Sequence, residues 1–216
     1  MKLNRLQPFE AMPYFTLEGF KQVAGIEPPH PARVLLYRWA KAGRILPLKK
    51  GTYMTRRFYE LHRGDSLFSA AVGAILLPQS YLSLEFILQE RALLTEATYP
   101  ITFVTTKNTR RISNPIGEFW YRHIRGDLYR GFSISEYFGI RVARAGAAKA
   151  LFDWLYLRPL PVPFRSPKTD LAGELRLNLD ELSAAEREEF SRFVDESRSR
   201  KMTDILNNFR SHAWRP

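Results

Sequence analysis

Apolar residues recur at three- and four-residue spacing in Leu17, Phe20, Val23 and Ala24. That pattern predicts a helix over 17–24, with Thr16 as its N-cap and Gly25 as its stop. Before it, Leu3 to Met12 predicts a short helix broken at Pro8 or ended before Pro13. After it, Glu27-Pro28-Pro29-His30 reads as a turn, and Pro31 suits the first position of a third helix that runs to about Ala42. At about 100° per residue, Leu35, Leu36, Trp39 and Ala42 fall on one side and can close a small core. Arg33, Tyr37 and Lys41 stack on the opposite side, with Arg38 at its edge. Arg44–Leu48 and Thr52–Met54 can then pair across Lys49-Lys50-Gly51 as a hairpin, with Arg56 and Arg57 directly behind it. Two helices, a tight turn and a hairpin suit a winged helix-turn-helix over 1–60.

Beyond residue 60 the pattern changes. Leu67–Leu77 is apolar enough for a buried helix closed by Pro78. Residues 81–124 then hold a helix with Ser83 as N-cap, a strand-like run Tyr99–Thr106, and two strand pieces, Arg110–Ser113 and Glu118–Ile124, around Asn114-Pro115 and Gly117. Phe132–Ile134 and Gly139–Val142 are further short strands, and Ala145–Leu157 a strong helix with Ala148, Leu151, Phe152, Leu155 and Tyr156 as its apolar face. A proline-rich strap follows near 158–168. Leu171–Leu179 is amphipathic, Ser183 opens a helix to Ser197 through a capping box with Glu186, and Thr203–Phe209 is a last short helix. The fold class is α/β: an N-terminal winged helix-turn-helix over 1–60 and an α/β domain over 66–216 with a helical C-terminal portion.

The succession YLSLE, ITFVTTKNTRR and PIGEFWYRHI within 81–124 resembles the AbiEi family of prokaryotic antitoxins. The resemblance covers this block and, more loosely, the basic N-terminal module; past about residue 145 only a compatible helical pattern remains. It departs at Arg91-Ala92, where a glycine is expected to close the helix. The resemblance implies the regulatory half of a type IV toxin–antitoxin (abortive infection) pair. Such a protein represses its own operon and counteracts a nucleotidyltransferase-like toxin, with or without touching it. It also implies a monomer or dimer paired on inverted repeats of its own promoter.

Charge sharpens the first module. The net charge is +11, and residues 1–63 carry 12 Lys/Arg against 4 Asp/Glu, whereas residues 166–216 carry 9 against 10. Residues 64–165 add 12 against 8, so the excess is concentrated in the first third and favours an anionic partner there, double-stranded DNA in this reading. Arg33, Tyr37, Arg38 and Lys41 are the base-facing candidates, because a helix fits the major groove and arginine bonds guanine edges with two donors. Arg44, Lys49, Lys50, Arg56 and Arg57 are the phosphate and wing candidates. Lys107, Arg110 and Arg111 form a second basic loop, a candidate contact in the antitoxin domain. A winged helix that binds protein instead of DNA accommodates the same residues.

The absence of cysteine removes disulfides, thiolate nucleophiles and cysteine zinc sites and fits a reducing cytoplasm. No apolar stretch is long enough to span a membrane. His30, His62, His123 and His212 stand in no metal-ligand spacing, and alternation in 118–124 makes His123 a half-buried structural residue. The sequence holds no G-x-S-x-G, P-loop or dinucleotide-binding glycine pattern. A nucleic-acid-processing enzyme would have to use Glu118 or Asp127, while Asp65, Asp153 and Asp170 read as caps or solvent charges. The expectation is therefore a protein with no catalytic residue, metal or cofactor.

Overall fold

Thr16 opens the first helix as its sequence predicts: its hydroxyl accepts the Gly19 amide at 3.0 Å, and Gly25 ends the helix at φ +63°. That left-handed turn is cheap only for glycine, which is why the helix stops there. The structure is a computed structural model that describes residues 5–95, 100–160 and 169–214. It is an α/β protein whose chain divides into two units. The first comprises residues 1–78 with 112–118 and 136–142; the second comprises the remainder.

In the first unit, a 3-10 turn at Gln7–Phe9 stands where a longer helix was expected, because Pro8 takes its first turn. Then follow β1 (Phe15–Thr16), α1 (Leu17–Ala24), α2 (Pro29–Lys41), β2 (Ile45–Lys49), β3 (Thr52–Thr55), α3 (Arg56–His62) and α4 (Phe68–Leu76). The three strands form a sheet in the order β1-β3-β2, with antiparallel pairs. Leu6, Phe9, Phe15, Phe20, Ala32, Leu36 and Ile45 make the core, and Phe9 meets Phe15 at 4.6 Å between ring centroids. The inward line of α2 is thus Ala32–Leu36. Leu35 and Trp39 are only half-buried and Ala42 is exposed, so the inward side is rotated from the Leu35-Leu36-Trp39-Ala42 expectation. Every residue of α4 except Ser69 is buried, consistent with its lack of a polar stripe.

The larger sheet is mixed and draws most, though not all, of its residues from the second unit, which also holds helices. Its strands are β4 (Ser80–Leu82), β5 (Ile101–Thr105), β6 (Arg110–Asn114), β7 (Gly117–His123), β8 (Phe132–Tyr137) and β9 (Ile140–Ala145). They lie in the order β6-β7-β5-β4-β9-β8. β4 runs antiparallel to β5, whereas β5 and β7, and β4 and β9, pair in parallel. Phe103 sits opposite Tyr121 in the β5–β7 register, and the two rings stack at 5.1 Å. The helices are α5 (Glu85–Glu90), α6 (Ala147–Leu157), α7 (Leu171–Glu174), α8 (Ala184–Ser197) and α9 (Arg200–His212). Ser183 and Glu186 form the predicted capping box. α9 is longer than expected, and most of the proline-rich strap, like Tyr99, lies outside the described residues.

The expected helix from Ser83 is replaced by strand, turn and short helix. Tyr81 and Leu82 belong to β4, and Leu84 takes φ +61°, ψ −142° before α5 begins. Thr102 holds this turn, its hydroxyl donating to Ser83 O at 2.7 Å and accepting Phe86 N at 3.0 Å. Ala92 takes φ +56° just past α5, the left-handed position where a glycine was expected.

Candidate nucleic-acid interface

α2 presents its predicted residues outward. Arg33, Tyr37, Arg38 and Lys41 are all exposed, Tyr37 to 68%, while Ala32 and Leu36 behind them are wholly buried. This ordering follows from the helical repeat: the line that packs on Phe20 fixes the rotation of α2, and the basic line is carried outward as a set. Lys50 is exposed in the turn between β2 and β3.

Lys49 is placed differently from expectation. Its Nζ donates to Ile75 O at 2.7 Å and Leu76 O at 3.2 Å, closing the C-terminal end of α4, and burial lowers its pKa from the ordinary lysine value. A cation on the last carbonyls of a helix meets both unpaired acceptors and the negative end of the dipole. Lys49 is exposed like Lys50, but its ammonium serves α4, a role that its place in the hairpin did not suggest.

Arg44, Arg56 and Arg57 also part company with Lys50. The Arg56 amide donates to Arg44 O at 2.9 Å, which closes the open end of the β2–β3 hairpin, while Lys50 marks its turn. Arg56 Nε donates to Gly43 O at 3.2 Å, and Arg57 pairs with Glu10 at 3.4 Å. With Arg5, Leu35 and Trp39 these arginines line an open groove of about 1000 Å³.

In the second unit Lys107, Arg110 and Arg111 are exposed on the β5–β6 connection and the start of β6. The Arg111 guanidinium lies 4.0 Å over the Trp120 ring, a cation–π contact that fixes its direction. His123 is exposed rather than half-buried, because it ends β7 beyond the covered part of that face; its Nδ1 lies 3.2 Å from Lys107 O. The structure thus gathers the loop around Trp120 and His123.

Sequence reasoning missed a buried polar network in the second unit. Lys149 and Asp153 are one helical turn apart on α6, with side chains 1% and 0% exposed and Nζ 2.8 Å from Oδ1. That contact is an ion pair set off the hydrogen-bond direction, since Oδ1 accepts no directed bond. Oδ2 accepts from Tyr81 and Ser83, each at 2.8 Å, and Lys149 Nζ also donates to Leu128 O at 3.0 Å. Burial pushes the Asp153 carboxyl upward against the opposing pull of Lys149, and burial and the carboxylate push the Tyr81 phenol up. Phe193 covers Lys149 and lies so close to Gly131 that a Cβ there would come within 2.5 Å of its ring. The i,i+4 Lys–Asp spacing on an otherwise apolar helix was the available signal.

Tyr81, Ser83, Lys149 and Asp153 are all buried. The strand-to-helix turn beside Ser83 places Leu84 at its positive-φ position. Glu118 is exposed, and Asp127 is exposed and paired with Arg125 at 3.0 Å. Asp170 caps α7 through the Gly173 amide, as expected of it. Among the described residues no cluster of three metal-ligating side chains occurs, and no helix is long and apolar enough to cross a membrane. No protein-family model matches the chain, and no curated protein matches it.

Proposed function

We propose that this protein is a regulator that binds double-stranded DNA through its first unit, with α2 in the major groove. The observation that carries the proposal is the one-sided presentation of Arg33, Tyr37, Arg38 and Lys41 on a helix whose opposite line is locked in the core. The succession α1, turn, α2, two-stranded hairpin suits a winged helix-turn-helix, in which the second helix reads base edges and the hairpin meets the backbone. Arg33 and Arg38 supply paired donors for guanine, Tyr37 packs or donates, and Lys50 meets a phosphate from the hairpin turn. The resemblance of 81–124 to AbiEi antitoxins supports a more specific role. In that role the protein represses its own operon in the cytoplasm and opposes a nucleotidyltransferase-like toxin, with Lys107, Arg110 and Arg111 as the exposed basic loop of the antitoxin portion.

The test is binding of the full chain to its own upstream DNA across a salt series. Retention of one sequence over competitor, lost in an Arg33→Ala/Tyr37→Ala variant of unchanged melting temperature, supports the reading. Failure to retain any DNA, or retention untouched by that variant, overturns it. The antitoxin role has its own assay: rescue of growth from an adjacent nucleotidyltransferase-like gene, with no rescue counting against it.

A further inference from the structure

The groove behind α2 brings together groups that the DNA-reading face does not use. Its lining includes the half-buried Leu35 and Trp39 of α2, and Phe20 meets the indole edge-on at 5.4 Å. The lining also includes four arginines: Arg5, Arg44 in the α2–β2 turn, and Arg56 and Arg57 of α3.

Two carboxylates share the lining and divide the arginines into two kinds. Glu10 lies 3.4 Å from Arg57, and Glu60 lies 3.9 Å from Arg56, which is further held by Gly43 O. Among the described residues Arg5 and Arg44 carry no ion pair. Four cations against two anions leave a positive site, with two arginines outside any ion pair and an indole in the same lining.

That composition selects among anions. A continuous duplex backbone presents a charge about every 1.7 Å and would bring phosphates against Glu10 and Glu60. A bare inorganic anion would leave the indole unused. A compact ligand with charge at one end and a flat ring at the other uses both: guanidinium forks match phosphate oxygens, and an indole face stacks on a nucleobase. The volume is that of a small-molecule site.

We propose that this groove binds a nucleoside phosphate, its base stacked on Trp39 and its phosphates held by Arg5 and Arg44. Arg56 and Arg57, fixed by their glutamates, shape the wall. The occupant rests on the same helix as Tyr37 but about 200° around its axis, so the ligand and the outward residues of α2 occupy different faces. The site stands whether or not the outward face reads DNA.

Titration of the full chain with ADP, GDP, CDP and UDP tests it, using calorimetry and tryptophan fluorescence without DNA present. Ribose 5-phosphate and inorganic pyrophosphate serve as controls. The expected result is saturable binding of at least one nucleoside diphosphate, at least tenfold tighter than either control. Arg44→Ala and Arg5→Ala should each weaken it by about tenfold, the effect of one lost charged hydrogen bond. Trp39→Phe should remove the fluorescence change, and Arg111→Ala, in the other unit, should leave binding unaltered. No binding of any nucleoside diphosphate at millimolar concentration overturns the proposal. So does equal binding of pyrophosphate, or binding indifferent to Arg5→Ala and Arg44→Ala. Both are solvent-exposed arginines, so these two variants keep the test decisive even if Trp39→Phe disturbs the core.

Discussion

The ammonium of Lys49 stands 2.7 Å from the carbonyl oxygen of Ile75, so a residue of the hairpin finishes α4, the second helix after it. Lys50, its neighbour, has an exposed side chain. The two lysines should therefore separate cleanly in experiment. Lys49→Ala is expected to lower stability by about 1 kcal/mol in denaturant titrations and leave the salt slope of DNA binding unchanged. Lys50→Ala should leave stability unaltered and reduce that slope by about 0.9, one phosphate contact. An equal reduction of the slope in both variants would make Lys49 a phosphate contact as well, and no reduction in either would remove Lys50.

Arg33 should act on sequence preference rather than on general affinity. Replacing it by alanine is expected to cost roughly 1–3 kcal/mol of discrimination between the preferred site and a competitor duplex. Binding to random DNA should change far less. Competition assays at fixed salt read this directly, and a uniform loss on all sequences would make Arg33 a backbone contact.

The Lys149–Asp153 pair should be costly to break and cheap to remove. Lys149→Met alone leaves a buried carboxylate without its cation and should cost about 3–5 kcal/mol. Adding Asp153→Asn removes the stranded charge while keeping an acceptor for Tyr81 and Ser83, and should recover most of that loss. A double-mutant cycle by urea unfolding measures the coupling. Additive losses would show that each side chain is held by its other neighbours alone.

Acid should reveal Asp65. Its pKa lies below the ordinary carboxylate value because Tyr137 donates to it at 2.7 Å, with His62 at 2.9 Å beside it. A depressed folded pKa contributes stability that is present above the unfolded value, about 3.9, and lost as pH falls through the folded one. Asp65→Asn should thus flatten the fall in melting temperature below about pH 4. Parallel curves for the two proteins would remove Asp65 from the acid response.

Ala92 holds a left-handed conformation at φ +56°, which costs an alanine about 1–2 kcal/mol relative to glycine. Part of any gain on substitution returns to the unfolded chain as entropy. Ala92→Gly is therefore expected to stabilise the protein by about 0.5–1 kcal/mol in chemical denaturation. A loss would show that the methyl group makes contacts worth more than the strain.

How much of this was legible in the sequence depended on whether the determinant was local. Thr16, Gly25 and the Ser183–Glu186 box act within one turn of helix, and their elements lie where the pattern put them. The exposed line of α2 was legible too, because its periodicity is internal to one helix. Ser83 was misread as a cap because its hydroxyl is claimed by Asp153, 70 positions later. Asp153 was read as a cap or solvent charge for the same reason: only the fold brings Tyr81, Ser83 and Lys149 around it. The groove carries no motif at all, since Arg5, Trp39, Arg44 and Arg57 converge from separate elements.

The discontinuity of the first unit bears on how the protein is made. Residues 112–118 and 136–142 belong to that unit, and Asn114 Nδ2 donates to Leu48 O at 3.2 Å, while Phe138 meets Phe58 at 5.2 Å between rings. At synthesis speeds of about 5–20 residues per second, Pro78 is complete roughly 3–13 s before Val142 exists. During that interval the nascent chain holds α1, α2 and the β2–β3 hairpin without the strips that complete their unit. The ribosome thus delivers α2 early and its full supporting structure late, and the unit reaches its finished form only after most of the sheet has been translated.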